Sequence, residues 1–404
     1  MNSGSEVPLD TTRVKPMTHG STRPATKSTG AQGWERLAAR FELPLVTAHD
    51  VAELARSLAE RVQPLPWKVA AAVDKIGFGL VPGHHTTPIV VAIVSAAGVP
   101  MPHLAMSSPS HVVSGLAVMA ALSNVRLNRE RLMHVFEQEG GCIADAACAA
   151  AVTDAATAAA VAETRHPATL ALWLAAMLSV RIAAQVPRVL VDVAVGAGTG
   201  VPDDDTWHAF RDLCIGAGAQ LGLQVQASRS VGSQPVGRGI GPALAARDVL
   251  DVLRGAAAAP MDLRMHALVE AGRLLEHGGA SRAGQGERDA WRLLDNGAAW
   301  SKFESLCRSQ GDWREPAAAP LQAPVFATCD GYVRLIDGQA LSRLAAAAGA
   351  PSSPTAGVVL HVRIGDKVER EQPLLTLHAK HSHRLARAQQ ALRDDPAIRV
   401  EPAV

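Results

Sequence analysis

Two glycine-bearing stretches of this chain combine residue types that could do chemistry. Gly232-Ser233-Gln234-Pro235-Val236-Gly237-Arg238-Gly239-Ile240-Gly241-Pro242 is a polar loop punctuated by glycine and proline, and an Ala/Leu/Val helical pattern starts directly after it. A shaped turn that feeds a packed helix is rarely just a connector. Asp74-Lys75-Ile76-Gly77-Phe78-Gly79 follows the apolar run 69–73 and precedes the apolar run 88–94. That order reads as strand, glycine-bearing loop and helix. In such a loop, backbone amides and the helix dipole attract an anion, and Lys75 would add a full charge. An ion pair of Lys75 with Asp74 or Asp192 is the competing reading.

Other chemistry-bearing groups carry weaker signals. His84, His85, His103 and His111 lack the fixed spacing of a metal site, so surface or core histidines are the default. Asp203-Asp204-Asp205 reads as a solvated turn ahead of a helix rather than a chelate, because consecutive carboxylates splay apart. Gly196-Ala197-Gly198-Thr199-Gly200 lacks the spacing and acidic partner of a dinucleotide fingerprint.

The elements that must position these groups alternate between strand and helix. Residues 34–63 repeat apolar positions at helical spacing, and Thr47 before Asp50 marks a helix start. Residues 144–162 are dominated by alanine, and 168–184 carry a second helical pattern. The β-branched run 189–195 predicts a buried strand, followed by a helix near 207–222 and a short strand at 223–227. Alternation of this kind implies a largely parallel sheet covered by helices. After the linker Pro316-Ala317-Ala318-Ala319-Pro320, short strands near 325–328, 331–336, 358–362 and 373–377 predict a small β-rich domain, with Gly365-Asp366 as a turn.

With 404 residues and 48% hydrophobic content, the chain can bury more than one core. A net charge of +1 offers no electrostatic case for nucleic acid or an anionic membrane. Five scattered cysteines without a C-x-x-C pair read as buried reduced thiols of a cytoplasmic protein. Residues 1–32, rich in Ser, Thr, Gly, Pro and Lys, read as a disordered tail. No apolar run reaches membrane-spanning length.

From about Asp74 onward the chain resembles the thymidine phosphorylase and pyrimidine-nucleoside phosphorylase family, in particular its branch that includes AMP phosphorylases. The stretch 232–244 carries the resemblance most clearly, and Asp330-Gly331-Tyr332-Val333 with Ile336-Asp337 is similar to the family's C-terminal module. The resemblance implies an α/β fold: a small helical domain (33–66 and 150–184), a parallel-sheet domain (67–149 and 185–315) and a C-terminal β-rich, hammerhead-like α+β domain (322–404). It implies phosphorolysis of a pyrimidine nucleoside or nucleoside monophosphate to free base and (deoxy)ribose 1-phosphate, with no cofactor and no metal. It implies a homodimer through the helical segments, or a heteromer with an active paralogue.

Carried over residue by residue, the resemblance makes Lys75, Gly77, Thr86, Thr87, Ser107 and Ser108 the phosphate-binding candidates and Arg165 the base-binding one. The loop at Gly232, Ser233, Gln234, Pro235, Gly237, Arg238 and Gly239 would shape a wall of the site. The chain departs from the family pattern elsewhere. Ile76, Gly77 and Leu80 replace a His, a Ser and a Gly of the phosphate loop, and Ala176 and Val180 replace the substrate serine and catalytic lysine. These changes predict a degenerate site, the alternative being a non-catalytic paralogue that binds a nucleotide-like ligand or partners an active phosphorylase.

Overall fold

The computed structural model describes residues 46–60, 64–65, 67, 69–78, 81–106, 114–149 and 167–402. Ser107, Ser108 and Arg165, together with the 1–32 tail and most of the alanine-rich 144–162 stretch, lie outside the described residues. Helix α1 (Ala48–Ala59) starts where expected: Thr47 Oγ1 accepts from Asp50 N, and the Asp50 carboxylate reaches back to Thr47 N at 2.9 Å. That reciprocal box satisfies two amides that a helix N-terminus otherwise leaves open.

Three parallel strands follow, β1 (Val73–Phe78), β4 (Arg188–Val195) and β5 (Gln224–Val231), ordered β1-β4-β5. A parallel pair, β2 (Met101–Ala105) and β3 (Gly141–Asp145), lies beside the start of β1, where Val73 N donates to Pro100 O. The connections are helical: α2 (Thr87–Ala96), α3 (Gly115–Ala120), α4 (Arg129–Glu139), α5 (Ala146–Ala149), α6 (Pro167–Ala183) and α7 (Asp204–Gln220). Asp203 caps α7 by accepting from Thr206 N, so the aspartate triplet serves a helix start.

Strand β1 begins four residues later than the apolar run suggested, so Asp74 and Lys75 sit within it and not in a loop. Its parallel register with β4 (Asp74↔Val189, Lys75↔Leu190, Gly77↔Asp192) holds both residues in the sheet. β5 likewise runs on to Val231, so Ser228 and Ser230 lie in the sheet.

Two cores flank the sheet. One joins α2 to α8 (Pro242–Leu253), α9 (Met261–His277), α10 (Gly286–Asp295) and α11 (Ala298–Gln310). The other joins α1, α6 and α7 to the Val189, Val191, Val193 and Val195 face of β4.

The C-terminal region forms a third core from antiparallel sheets and two helices that the strand pattern did not announce, α12 (Gly338–Ala348) and α13 (Ser382–Asp394). Its four-stranded sheet, β6-β9-β11-β7, takes β6 (Gly239–Ile240) from the glycine-rich loop and pairs it with β9 (Gly357–Leu360); β7 is Leu321–Phe326 and β11 Pro373–Ala379. The sheet thus takes one of its strands from outside 322–404. A three-stranded sheet of β10 (Lys367–Val368), β8 (Gly331–Ile336) and β12 (Ile398–Pro402) completes it. Cys142, Cys214 and Cys307 are free and buried, and burial pushes each thiol up.

Candidate functional site

Side chains alternate across a strand, so neighbours on β1 enter different surroundings. Asp74, Ile76 and Phe78 face α6 and α7. There Phe78 packs edge-on against Phe210 at 5.0 Å, so it belongs to the core. Asp74 pairs with Arg181 Nη2 at 2.9 Å and accepts from His103 Nδ1 at 2.6 Å. Arg181 also donates to Lys75 O at 2.6 Å and is fully buried. Burial alone would raise the Asp74 carboxyl, but Arg181 and His103 outweigh it and hold it below the usual carboxylate range.

Lys75 and Gly77 face the other way, toward α2 and α9. Lys75 Nζ donates to Thr86 Oγ1 and to Glu270 Oε2, each at 2.5 Å. Asp192 of β4 shares this face, since it stands opposite Gly77 in register. On β5, Ser228 and Ser230 donate their hydroxyls to Asp192 at 2.9 and 2.8 Å. Helix α9 contributes His266 and Glu270, which one helical turn places on one face. His84, in the turn before α2, completes the group, with Nε2 3.8 Å from Asp192 and 3.4 Å from His266 Nδ1.

His84, Asp192, Ser228, Ser230, His266 and Glu270 line a cleft of about 460 Å³, with Val195, Arg229, Val231 and Val269 among its other walls. That volume suits a small organic ligand. Its place near the carboxyl ends of parallel strands is where open α/β sheets usually bind ligands.

The electrostatics of the cleft are not those of an anion trap. Each cation already has a carboxylate: Lys75 has Glu270, and Arg229 has Asp204 at 2.6 Å. Burial drives the His84 ring down to about 4, with Lys75 and His266 adding to it against the pull of Asp192, so it is neutral at pH 7. Burial and the nearby Asp192 carboxylate push the Glu270 carboxyl upward, while Lys75 opposes them.

Of the phosphate-binding candidates, the fold joins Lys75 and Thr86 directly and puts Gly77 on the same strand face, while Thr87 opens α2. The competing reading of Lys75 is an ion pair with Asp74 or Asp192; the carboxylate it meets is Glu270, 195 positions away. Glu270, His266 and the two β5 serines are residues the sequence reading missed. The signals were present as a His/Glu pair four apart in an amphipathic run and as an aspartate inside an apolar strand. On α6, Val180 is buried with Leu65, Trp67 and Leu104, and Ala176 is buried as well. Position 180 thus lies in a hydrophobic cluster.

The glycine-rich loop spends its polar groups on internal joints. Arg238 N and Gly239 N donate to Asp248 at 2.6 and 2.7 Å, and Gly237 N donates to Asp262 at 3.1 Å. Burial outweighs those two bonds to Asp248 and raises its carboxyl to about 6. Gln234 Oε1 accepts from Ile364 N, and Arg363 donates to Gly237 O. Gly232, Ser233 and Gln234 line a second cleft of about 340 Å³, shared with Gly198, Thr199, Asp337 and Gln339. Pro235 and Gly237 are buried.

Gly83 fits this joint because φ is +80° there and a Cβ would lie 2.0 Å from Val236 O. Gly83→Ala is expected to cost about 2 kcal/mol or more of stability, read as a lowered urea midpoint at unchanged m-value.

Comparison with known proteins places this geometry in context. Residues 332–399 match the family model described as "Pyrimidine nucleoside phosphorylase C-terminal domain". A protein of Hahella chejuensis named "Putative thymidine phosphorylase" is 39% identical over 356 residues, covering 87% of this chain and 70% of that one. A protein of the same name from Parvibaculum lavamentivorans is 37% identical over 367 residues, covering 91% and 72%. Among solved structures, anthranilate phosphoribosyltransferase from Thermus thermophilus shares the fold with a TM-score of 0.54 at 15% identity, over 70% of this chain and 95% of that one.

Proposed function

This chain belongs to the thymidine phosphorylase family, and from that membership we propose that its cleft binds a pyrimidine nucleoside or nucleoside monophosphate without carrying out phosphorolysis. One observation carries the reading: Lys75, the cation that would hold orthophosphate, is bound at 2.5 Å to the buried Glu270 carboxylate. An incoming phosphate dianion would have to compete with Glu270 for Lys75 and approach the Asp192 carboxylate at the same time. Both like charges oppose it in a desolvated place.

The base side supports the same conclusion. A departing pyrimidine needs a donor or cation to take up its developing charge, and Ala176 and Val180 offer neither. Removing one such group typically costs about 10²- to 10³-fold in rate, so a chain that lacks both is left with little phosphorolysis. The second reading, glycosyl transfer by a rebuilt site, has Lys75, Thr86 and the cleft volume in its favour. A homodimer through the helical segments belongs to the proposal and is checked by light scattering.

The test is an assay with thymidine, uridine, cytidine and their monophosphates in the presence of phosphate, paired with calorimetric titration of the same compounds. Saturable binding with turnover at the uncatalysed background is expected. Turnover above background overturns the non-catalytic half of the proposal, and failure of every compound to bind overturns the other half.

A further inference from the structure

Three potential metal-ligand atoms converge in the cleft described above. One imidazole nitrogen of His84 and one carboxylate oxygen each of Asp192 and Glu270 lie within 4.8 Å of one another. We propose that His84, Asp192 and Glu270 bind a divalent transition-metal ion whose remaining coordination positions face the cleft. The site goes beyond the proposed nucleoside binding and stands whether or not that reading holds.

The donor set fits such an ion. Imidazole with two carboxylates suits zinc, manganese or cobalt better than magnesium or calcium, which prefer all-oxygen shells. Metal–ligand bonds of about 2.0–2.2 Å put neighbouring ligand atoms roughly 3–3.5 Å apart, so small side-chain rotations close the set.

Two observations favour a cation at this place. Glu270 is only 4% exposed, and its Oε1 has no hydrogen-bond partner among the described residues. A buried carboxylate oxygen left bare is costly, and a metal ion is one of the few groups that satisfies it. Asp192 is equally enclosed, and the hydroxyls of Ser228 and Ser230 each donate to one of its oxygens, which orients the carboxylate without cancelling its charge. Hydroxyls that orient a ligating carboxylate in this way are the usual second layer of a metal site. Lys75 holds the other oxygen of Glu270, Oε2, as an ion pair.

The experiment uses the full-length protein, stripped by chelation and titrated with Co²⁺ and then Zn²⁺. A single equivalent of Co²⁺ should bind and give visible d–d absorption, which Zn²⁺ then displaces. His84→Gln and Asp192→Asn should each weaken binding at least about tenfold with unchanged far-UV circular dichroism. Ser230→Ala, which leaves every ligand in place, should weaken it about 10- to 100-fold. His381 and His383 stack on the surface at 5.7 Å and are a rival place for an adventitious ion. Undiminished binding in both ligand variants, loss of binding in His381→Gln/His383→Gln instead, or no stoichiometric Co²⁺ uptake by the parent protein would overturn the proposal.

Discussion

Arg181→Leu is expected to lower the unfolding free energy by about 3–5 kcal/mol, measured by urea denaturation at pH 7. The guanidinium is fully buried, pairs with Asp74 at 2.9 Å and donates to Lys75 O at 2.6 Å. Removing it leaves Asp74 inside the protein with His103 and one backbone amide as its remaining partners. A buried carboxylate stripped of its main counter-charge accounts for most of the loss. Arg181→Leu/Asp74→Asn should recover much of it, because a neutral amide needs no cation.

The pH dependence of the same network has a definite sign. The folded Asp74 carboxyl lies below its unfolded value, so it contributes stability that is fully present above the unfolded pKa and is lost as pH falls through the folded one. Acidification below the ordinary carboxylate range should therefore destabilise the parent protein. In Arg181→Leu the burial penalty remains while the largest opposing influence is gone, which moves the acid loss to higher pH. In Asp74→Asn this part of the pH dependence disappears.

What the sequence revealed and what it hid follow one physical rule, that local patterns are readable and long-range pairings are not. Val189 to Val195 reads as a buried strand because β-branched residues crowd together between turn signals, and the Thr47/Asp50 box announces α1 by spacing alone. Lys75 was assigned to the glycine-bearing loop because the apolar run before it looks like a complete strand. The register with β4 instead draws Asp74 and Lys75 into the sheet, and period-two alternation then sends them to opposite faces. No local signal connects Lys75 to Glu270, since the contact exists only once α9 has packed across the strand ends.

Position 180 shows the limit of a resemblance. A motif assigns it the role of a catalytic lysine, whereas packing puts Val180 among Leu65, Trp67 and Leu104. Glycine and proline announce the loop at 232–242 as a shaped turn, but its strand partner lies more than a hundred residues further on, in β9.

Glu270→Gln is expected to raise orthophosphate affinity at least roughly tenfold, read by calorimetric titration in the presence of chelator. The amide keeps the shape of the side chain and an acceptor for Lys75, so the change is close to pure charge. A unit charge about 4 Å away is worth on the order of 4 kcal/mol at an effective dielectric constant of about 20, and solvent entering the cleft reduces that figure. Lys75 and Thr86 would then face phosphate as a cation and a hydroxyl without a competing carboxylate between them. Phosphorolysis should stay at background, because Ala176 and Val180 still offer nothing to a departing base. Unchanged phosphate affinity in a folded Glu270→Gln protein would mean that the Lys75–Glu270 pair does not close the site, and the non-catalytic reading would lose the observation that carries it.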